Sequence, residues 1–272
     1  MIFTTNLAFD VYRNLPYENY LKTHAKDKVV VDCGSGSGIW TWVALYYGAS
    51  HVYCIDIHKP TLDHLNKIFN NNPKVTVLSL DIFEDMLPKG NIYVHEIFGA
   101  PNPLGEAIIN FLKNCKRQNI TNLFPSELHL YSLTNPTREK QHDVEYNESL
   151  LGESIISFID HISNSYYKKI QVADYLELLK CCKYSYTSKE KIWGGKLLEL
   201  ANAPNLNISG DAISWEAGGD GYYYSSLNEY FNNWHSGYIK SRTFKQQYLQ
   251  LLKLDNTTAL DCVCTKYITN QY

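Results

Sequence analysis

The string Asp32-Cys33-Gly34-Ser35-Gly36-Ser37-Gly38 constrains the fold of this chain more than any other feature. Ahead of it, residues 28–33 (KVVVDC) form a short apolar, β-branched run of the kind found in strands buried on both faces. Behind it, residues 39–47 read as a helix that ends at Gly48. Glycines between a strand and a helix let the backbone turn tightly and let a ligand approach the main chain. The same rhythm then repeats. Strands are expected at 51–55, 75–80 and 91–95, and helices at 60–70 and 104–114. Alternating strands and helices build a doubly wound α/β sheet.

The pattern changes after about residue 134. Residues 152–163 keep helical spacing. Beyond them lie short alternating segments at 170–173, 176–186, 196–200, 208–215, 222–226, 236–239 and 259–267, broken by Gly, Asn and Pro. The reading is therefore two units. A Rossmann-like domain spans residues 1–134, and a β-rich, barrel-like domain for substrate and dimer contacts spans 135–272.

Composition narrows the function classes. A chain of 272 residues buries enough surface to fold without cross-links. Its seven cysteines are odd in number and include no CxxC, so reduced core thiols are expected rather than a zinc or disulfide framework. The formal net charge of −3 provides no field for nucleic acid or for an anionic membrane. No apolar run approaches the roughly 18 residues of a membrane span, and the first ten residues lack a basic, then apolar, leader. A cytoplasmic protein is expected.

The glycine string narrows the cofactor. Its spacing is GxGxG, and Ile39 stands where a dinucleotide loop would carry its third glycine. That disfavours an NAD oxidoreductase and suits the acidic-GxGxG loop of S-adenosylmethionine (SAM) methyltransferases. Asp32 and the glycines 34, 36 and 38 are the first cofactor candidates. Asp56 closes the second strand, where a carboxylate can accept two hydrogen bonds from a ribose diol. Asp81 follows the third strand, where it could meet the adenine amino group or cap a turn.

Four strings together resemble the protein arginine N-methyltransferase family. One is the glycine motif with its strand, residues 26–39. The second, Asp10-Val-Tyr-Arg13-Asn-Leu-Pro-Tyr17, is similar to the family's N-terminal D-x-x-R-x-x-x-Y helix. The third, His95-Glu96-Ile97-Phe98-Gly99, is similar to its S-E-x-x-G loop. The fourth, Leu123-Phe124-Pro125-Ser126, is similar to the string that precedes its β-barrel. The resemblance implies that SAM is the cofactor, with Arg13 pairing the methionine carboxylate. It implies that Glu96 holds a guanidinium, that Trp234 contributes to the substrate side, and that Tyr17 does so by holding the N-terminal helix over the cofactor, with plain packing as its alternative. The family has a second loop glutamate nine residues after the first. Here that position is Gly105, and Glu106 stands one residue further. The resemblance therefore assigns the second clamp to Glu106 across a one-residue insertion. His95 replaces the loop serine and is a candidate base or substrate contact.

The implied substrate is an arginine-containing peptide or protein, or a small guanidino metabolite. The implied assembly is a homodimer, with residues 138–155 as a reduced arm. A methyltransferase of an unrelated natural product and a non-catalytic SAM-binding partner subunit stay open beside it.

Overall fold

The computed structural model describes residues 11–98, 106–134, 137–138, 152–166, 184–185, 187–202 and 212–228. Five strands, β1 (Val29–Cys33), β2 (His51–Asp56), β3 (Val75–Ser79), β4 (Ile92–His95) and β5 (Leu123–Phe124), form one parallel sheet in the order β3-β2-β1-β4-β5. Helices α1 (Val11–His24), α2 (Ile39–Tyr46), α3 (Lys59–Ile68) and α4 (Glu106–Arg117) belong to this part of the chain. The strand order reverses between β1 and β4, which run side by side with Val30 opposite Ile92 and Cys33 opposite His95. An order of this kind opens a crevice at the carboxyl ends of those two strands. All four residues of β4 are buried, as a central parallel strand requires.

The second sheet is antiparallel. It joins β6 (Glu127–Thr134), β9 (Ser188–Lys196), β10 (Ala212–Gly219) and β11 (Tyr222–Asn228) in the order β11-β10-β6-β9. A small ladder pairs β7 (Thr137–Arg138) with β8 (Tyr184–Ser185). Alternation sets the faces of β6: Leu128 and Leu130 point into the core, while Glu127, His129 and Tyr131 stay partly exposed. The doubly wound half and the β-rich half expected from sequence are both present. The sheets change over at Pro125-Ser126, so residues 127–134 pair in the second sheet although the sequence grouped them with the first. Residues 196–200, read as a β segment, are instead largely a 3₁₀ helix (Leu197–Asn202). Its Leu197, Leu200 and Ala201 share one buried face, which outweighs their alternation with polar neighbours. The expected segments at 170–173, 236–239 and 259–267 lie outside the described residues.

One hydrophobic core runs through both sheets. It links Val31, Val94 and Phe124 of the parallel sheet to Leu128, Leu130 and Trp215 of the antiparallel one. Helix α1 bridges them. Its Tyr20 ring stacks on Phe124 at 4.0 Å, and Thr23 Oγ1 meets the Tyr222 hydroxyl at 3.0 Å. Helix α5 (Glu153–Tyr166) buries Ser154, Ile155, Phe158 and Ile162 as a single stripe. It packs on α2, where Trp42 stacks on His161 at 4.3 Å. Residues 153–155, expected at the end of a dimer arm, therefore lie against their own chain; residues 139–151 of that arm are outside the described residues. Cys33, Cys54 and Cys115 are free and buried, in keeping with core thiols. Among the described residues, no helix is long and apolar enough to cross a membrane.

Candidate functional site

The glycine loop leaves β1 in left-handed backbone, with φ of 77° at Gly34, 52° at Gly36 and 83° at Gly38. Gly38 has a steric reason as well. A Cβ there would lie 2.8 Å from Phe69 Cε2 and 2.9 Å from Leu65 Cδ2, so α3 packs directly on its backbone. The loop is tied to β2 by main-chain bonds. The N–H groups of Gly34 and Ser35 both donate to the Ile55 carbonyl, at 2.9 and 2.8 Å. Ser35 was not singled out in the sequence, yet it is the loop's fastener. Its hydroxyl donates to the Asp32 carbonyl and accepts from the Ile55 N–H, both at 2.9 Å. The available signal was a serine enclosed between glycines in a turn that must be buried on one side.

Asp32 is buried and faces inward. Its Oδ2 accepts from the Thr41 N–H at 3.0 Å and the Thr41 hydroxyl at 2.7 Å, so it caps the first turn of α2. Burial pushes its carboxyl up to about 7, against the opposing pull of the Thr41 hydrogen bonds. The sequence read Asp32 as a cofactor contact. In the structure Asp32 shapes the loop: its Oδ2 is taken up by Thr41 of α2 and the side chain is buried.

Asp56 ends β2 and is half-buried. Its Oδ2 accepts from the Gly36 N–H at 3.1 Å and its Oδ1 from the His58 N–H at 2.8 Å. The second-strand carboxylate thus lies directly against the glycine loop. Asp81 follows β3, and its Oδ1 accepts from the Phe83 N–H at 2.8 Å. In the structure Asp81 caps the turn that follows β3. The same turn sends Ile82 against Gly34, 3.7 Å from where a Cβ would sit.

Glu96 follows β4 directly and is half-buried. His95, just before it, is not available as a base or a substrate contact, which corrects the sequence reading. Its ring is fully buried against Phe98 and Phe111, at 5.6 and 5.0 Å. Nε2 lies 3.0 Å from the Pro125 carbonyl, which only accepts, so Nε2 carries the proton. Burial lowers its pKa to about 4. The ring is therefore neutral near pH 7 and fastens the sheet junction.

Tyr17 is likewise fully buried, stacked on Trp40 at 4.3 Å, with its hydroxyl donating to the His95 carbonyl at 2.9 Å. It supports the site from beneath and offers no surface to a substrate. Arg13 lies in α1, on the turn before Tyr17, and Glu106 opens α4. The side chains of both are outside the described residues, as is all of Trp234. Among the described residues no group of His, Cys, Asp and Glu could hold a metal ion.

The class defined so far is a doubly wound α/β domain with a glycine loop and a carboxylate at its switch-point crevice, fused to an antiparallel β unit. A model of the FtsJ-like methyltransferase family matches residues 17–97. The protein named probable histone-arginine methyltransferase CARM1 of Oryza sativa subsp. indica is 30% identical over 113 residues, covering 39% of this chain and 20% of that protein. Protein arginine N-methyltransferase 8-B of Danio rerio is 39% identical over 80 residues, covering 28% of this chain and 18% of that protein. The matched stretch thus spans about a fifth of the length of these curated relatives. Among solved structures, the Trypanosoma brucei PRMT1 enzyme-prozyme heterotetrameric complex with AdoHcy aligns with a TM-score of 0.52 at 18% identity, over 82% of this chain and 79% of that one. That likeness is one of fold, and it reaches beyond the parallel sheet. The resemblance to arginine methyltransferases is matched by the names of the curated relatives.

Proposed function

We propose that this chain is a SAM-dependent methyltransferase that modifies a guanidino nitrogen of arginine, in a peptide or protein or as a small metabolite. One observation carries the reading: the glycine loop and Glu96 follow adjacent strands, β1 and β4, at the same switch point. A cofactor held by the loop and a substrate held by Glu96 would meet there. The curated relatives named as arginine methyltransferases support the same chemistry.

The residues present fit the cofactor. Asp56 presents a carboxylate beside the Gly36 backbone, an arrangement that suits a ribose diol. Gly34 and Gly36 leave the loop main chain free of side chains where a ligand would lie. Bound SAM supplies an electrophilic methyl group on a sulfonium. Asp56 would hold the ribose, and Arg13 the amino-acid end. Asp32 and Ser35 keep the loop in shape for both.

A guanidinium is planar, stays protonated, and offers its N–H groups in a fixed fork. A carboxylate at Glu96 can engage two of those groups, which fixes the plane of the substrate and draws positive charge away from the third nitrogen. The gain comes from orientation and electrostatic preorganisation. Glu106 would add a second carboxylate from the start of α4. Homodimer assembly and a cytoplasmic site of action belong to the same proposal, and light scattering of the full chain tests the first of them.

The deciding experiment is methyl transfer from labelled SAM to free arginine, an arginine peptide and a histidine peptide, read by mass spectrometry. A product one methyl heavier on arginine, lost in Glu96→Gln while SAM still binds, establishes the activity. SAM binding without transfer to either arginine acceptor would sink it.

A further inference from the structure

The peptide unit that joins His95 to Glu96 is held from a distant part of the chain. Strand β4 ends at His95, so the ladder of the parallel sheet stops just before Glu96. The His95 carbonyl lies at that end, and its hydrogen bond comes from the Tyr17 hydroxyl in α1, at 2.9 Å across 78 residues of sequence. A peptide unit is planar, so the carbonyl of one residue and the N and Cα of the next turn together. Fixing the His95 oxygen therefore fixes the plane from which the Glu96 side chain departs. The imidazole of His95 adds a second tie, through Nε2 to the Pro125 carbonyl at 3.0 Å.

Tyr17 is built for such a task. It is fully buried, its ring lies nearly parallel to Trp40 (12°) at 4.3 Å, and it stands nearly perpendicular to Phe124 at 5.0 Å. Trp40 sits in the first turn of α2, directly after the glycine loop. One aromatic side chain thus contacts the helix that follows the loop and the backbone that precedes Glu96.

We propose that Tyr17 is a positioning residue for Glu96: its hydroxyl sets the orientation of the carboxylate relative to the glycine loop without touching substrate. This rests on the arginine-methylating reading of Glu96. Tyr17→Phe removes the hydroxyl and keeps the ring stack. The expected result is a fall in kcat of about tenfold, the size of one lost neutral hydrogen bond, with SAM affinity unchanged within about twofold. Deuterium exchange should quicken at the amides of residues 96–98 and stay unchanged at residues 34–38. In a Glu96→Asp background, where the carboxylate is already displaced, the same substitution should cost much less than it does alone.

Unchanged exchange at 96–98 would overturn the proposal. So would a normal kcat in Tyr17→Phe, or a loss of SAM affinity equal to the loss of kcat, which would make Tyr17 a support of the cofactor instead. If the wild-type chain methylates no arginine acceptor, the activity reading falls. The exchange experiment then still decides whether Tyr17 holds the strand end.

Discussion

The Asp56 carboxylate accepts a hydrogen bond from the backbone N–H of Gly36, 3.1 Å away, and so ties the end of β2 to the middle of the glycine loop. Its other oxygen takes the His58 N–H at 2.8 Å. Each oxygen keeps a further lone pair, so the carboxylate can hold the loop and a ribose diol at once. An amide at this position loses one acceptor. Asp56→Asn is expected to weaken SAM binding by about 10- to 100-fold, the range of a charged hydrogen bond. Calorimetric titration of SAM into both proteins measures it. Equal affinity would remove Asp56 from the cofactor site.

Gly38 opens α2 at a φ of 83°, with Phe69 and Leu65 of the α3 region packed on it. Gly38→Ala meets both costs together, a left-handed backbone and a collision within 3 Å. A loss of about 2–3 kcal/mol in urea unfolding is expected. The collapse of α3 packing should also carry into SAM binding. A variant as stable as the wild type would show that α3 can retreat from the loop at no cost.

Much of this fold was legible because buried parallel strands advertise themselves. VVVDC and HVYCID are largely apolar, VTVLS is β-branched and half-buried, and the glycine string marks where the first strand turns. The antiparallel sheet was harder. Strand β6 carries a clear alternation in ELHLYSLT, yet it follows the parallel sheet without a break. Strand β9, SKEKIWGGK, is mostly exposed, and its charges hide it. At the site, residue type suggested roles that burial reassigned. His95 looked like a base because it adjoins a glutamate, but the last residue of a central strand faces the core. Tyr17 was open between the substrate side and a packing role, and its hydroxyl bonds a carbonyl that no local pattern reveals. Asp56 was readable since position alone, the end of the second strand, sets its neighbours.

Glu18 provides a test of how α5 is held. It is buried, and its Oε1 accepts from the Tyr47 hydroxyl at 2.8 Å, the Ser154 N–H at 3.1 Å and the Ser154 hydroxyl. The carboxyl thus caps the first turn of α5 from a helix 136 residues earlier. Gly152 makes room for it, since a Cβ there would fall 1.4 Å from Oε2. Glu18→Ala strands the two buried Ser154 donors at roughly 1–3 kcal/mol each and frees the part-buried Tyr47 hydroxyl. A drop in Tm of about 5–10 °C is expected, together with new protease cleavage within residues 153–166. Cleavage confined to other regions would mean that Trp42 and Phe158 hold the helix without the cap.

Two buried groups pull the pH dependence of stability in opposite directions. His95 has its pKa lowered to about 4 by burial, from 6.5. Between those values the unfolded chain binds a proton that the folded one does not. Its contribution is therefore present above about pH 6.5 and lost as pH falls toward 4, up to roughly 3 kcal/mol. Asp32 has its pKa raised to about 7 by burial, from 3.8. Here the folded chain holds the proton longer, so stability is greatest at low pH and declines as pH rises through the same window. In the wild-type chain the two effects largely offset each other between about pH 4 and pH 6.5. Single variants separate them. Asp32→Asn leaves His95 unopposed and should lose stability steeply on acidification. His95→Gln leaves Asp32 unopposed and should grow more stable as the solution becomes acidic. Urea unfolding at about pH 4.5 and about pH 7.5 on the three proteins decides the matter. A His95→Gln profile parallel to the wild type would mean that the imidazole takes up its proton in the folded state, and that it is not sealed against Phe98 and Phe111 as the packing requires.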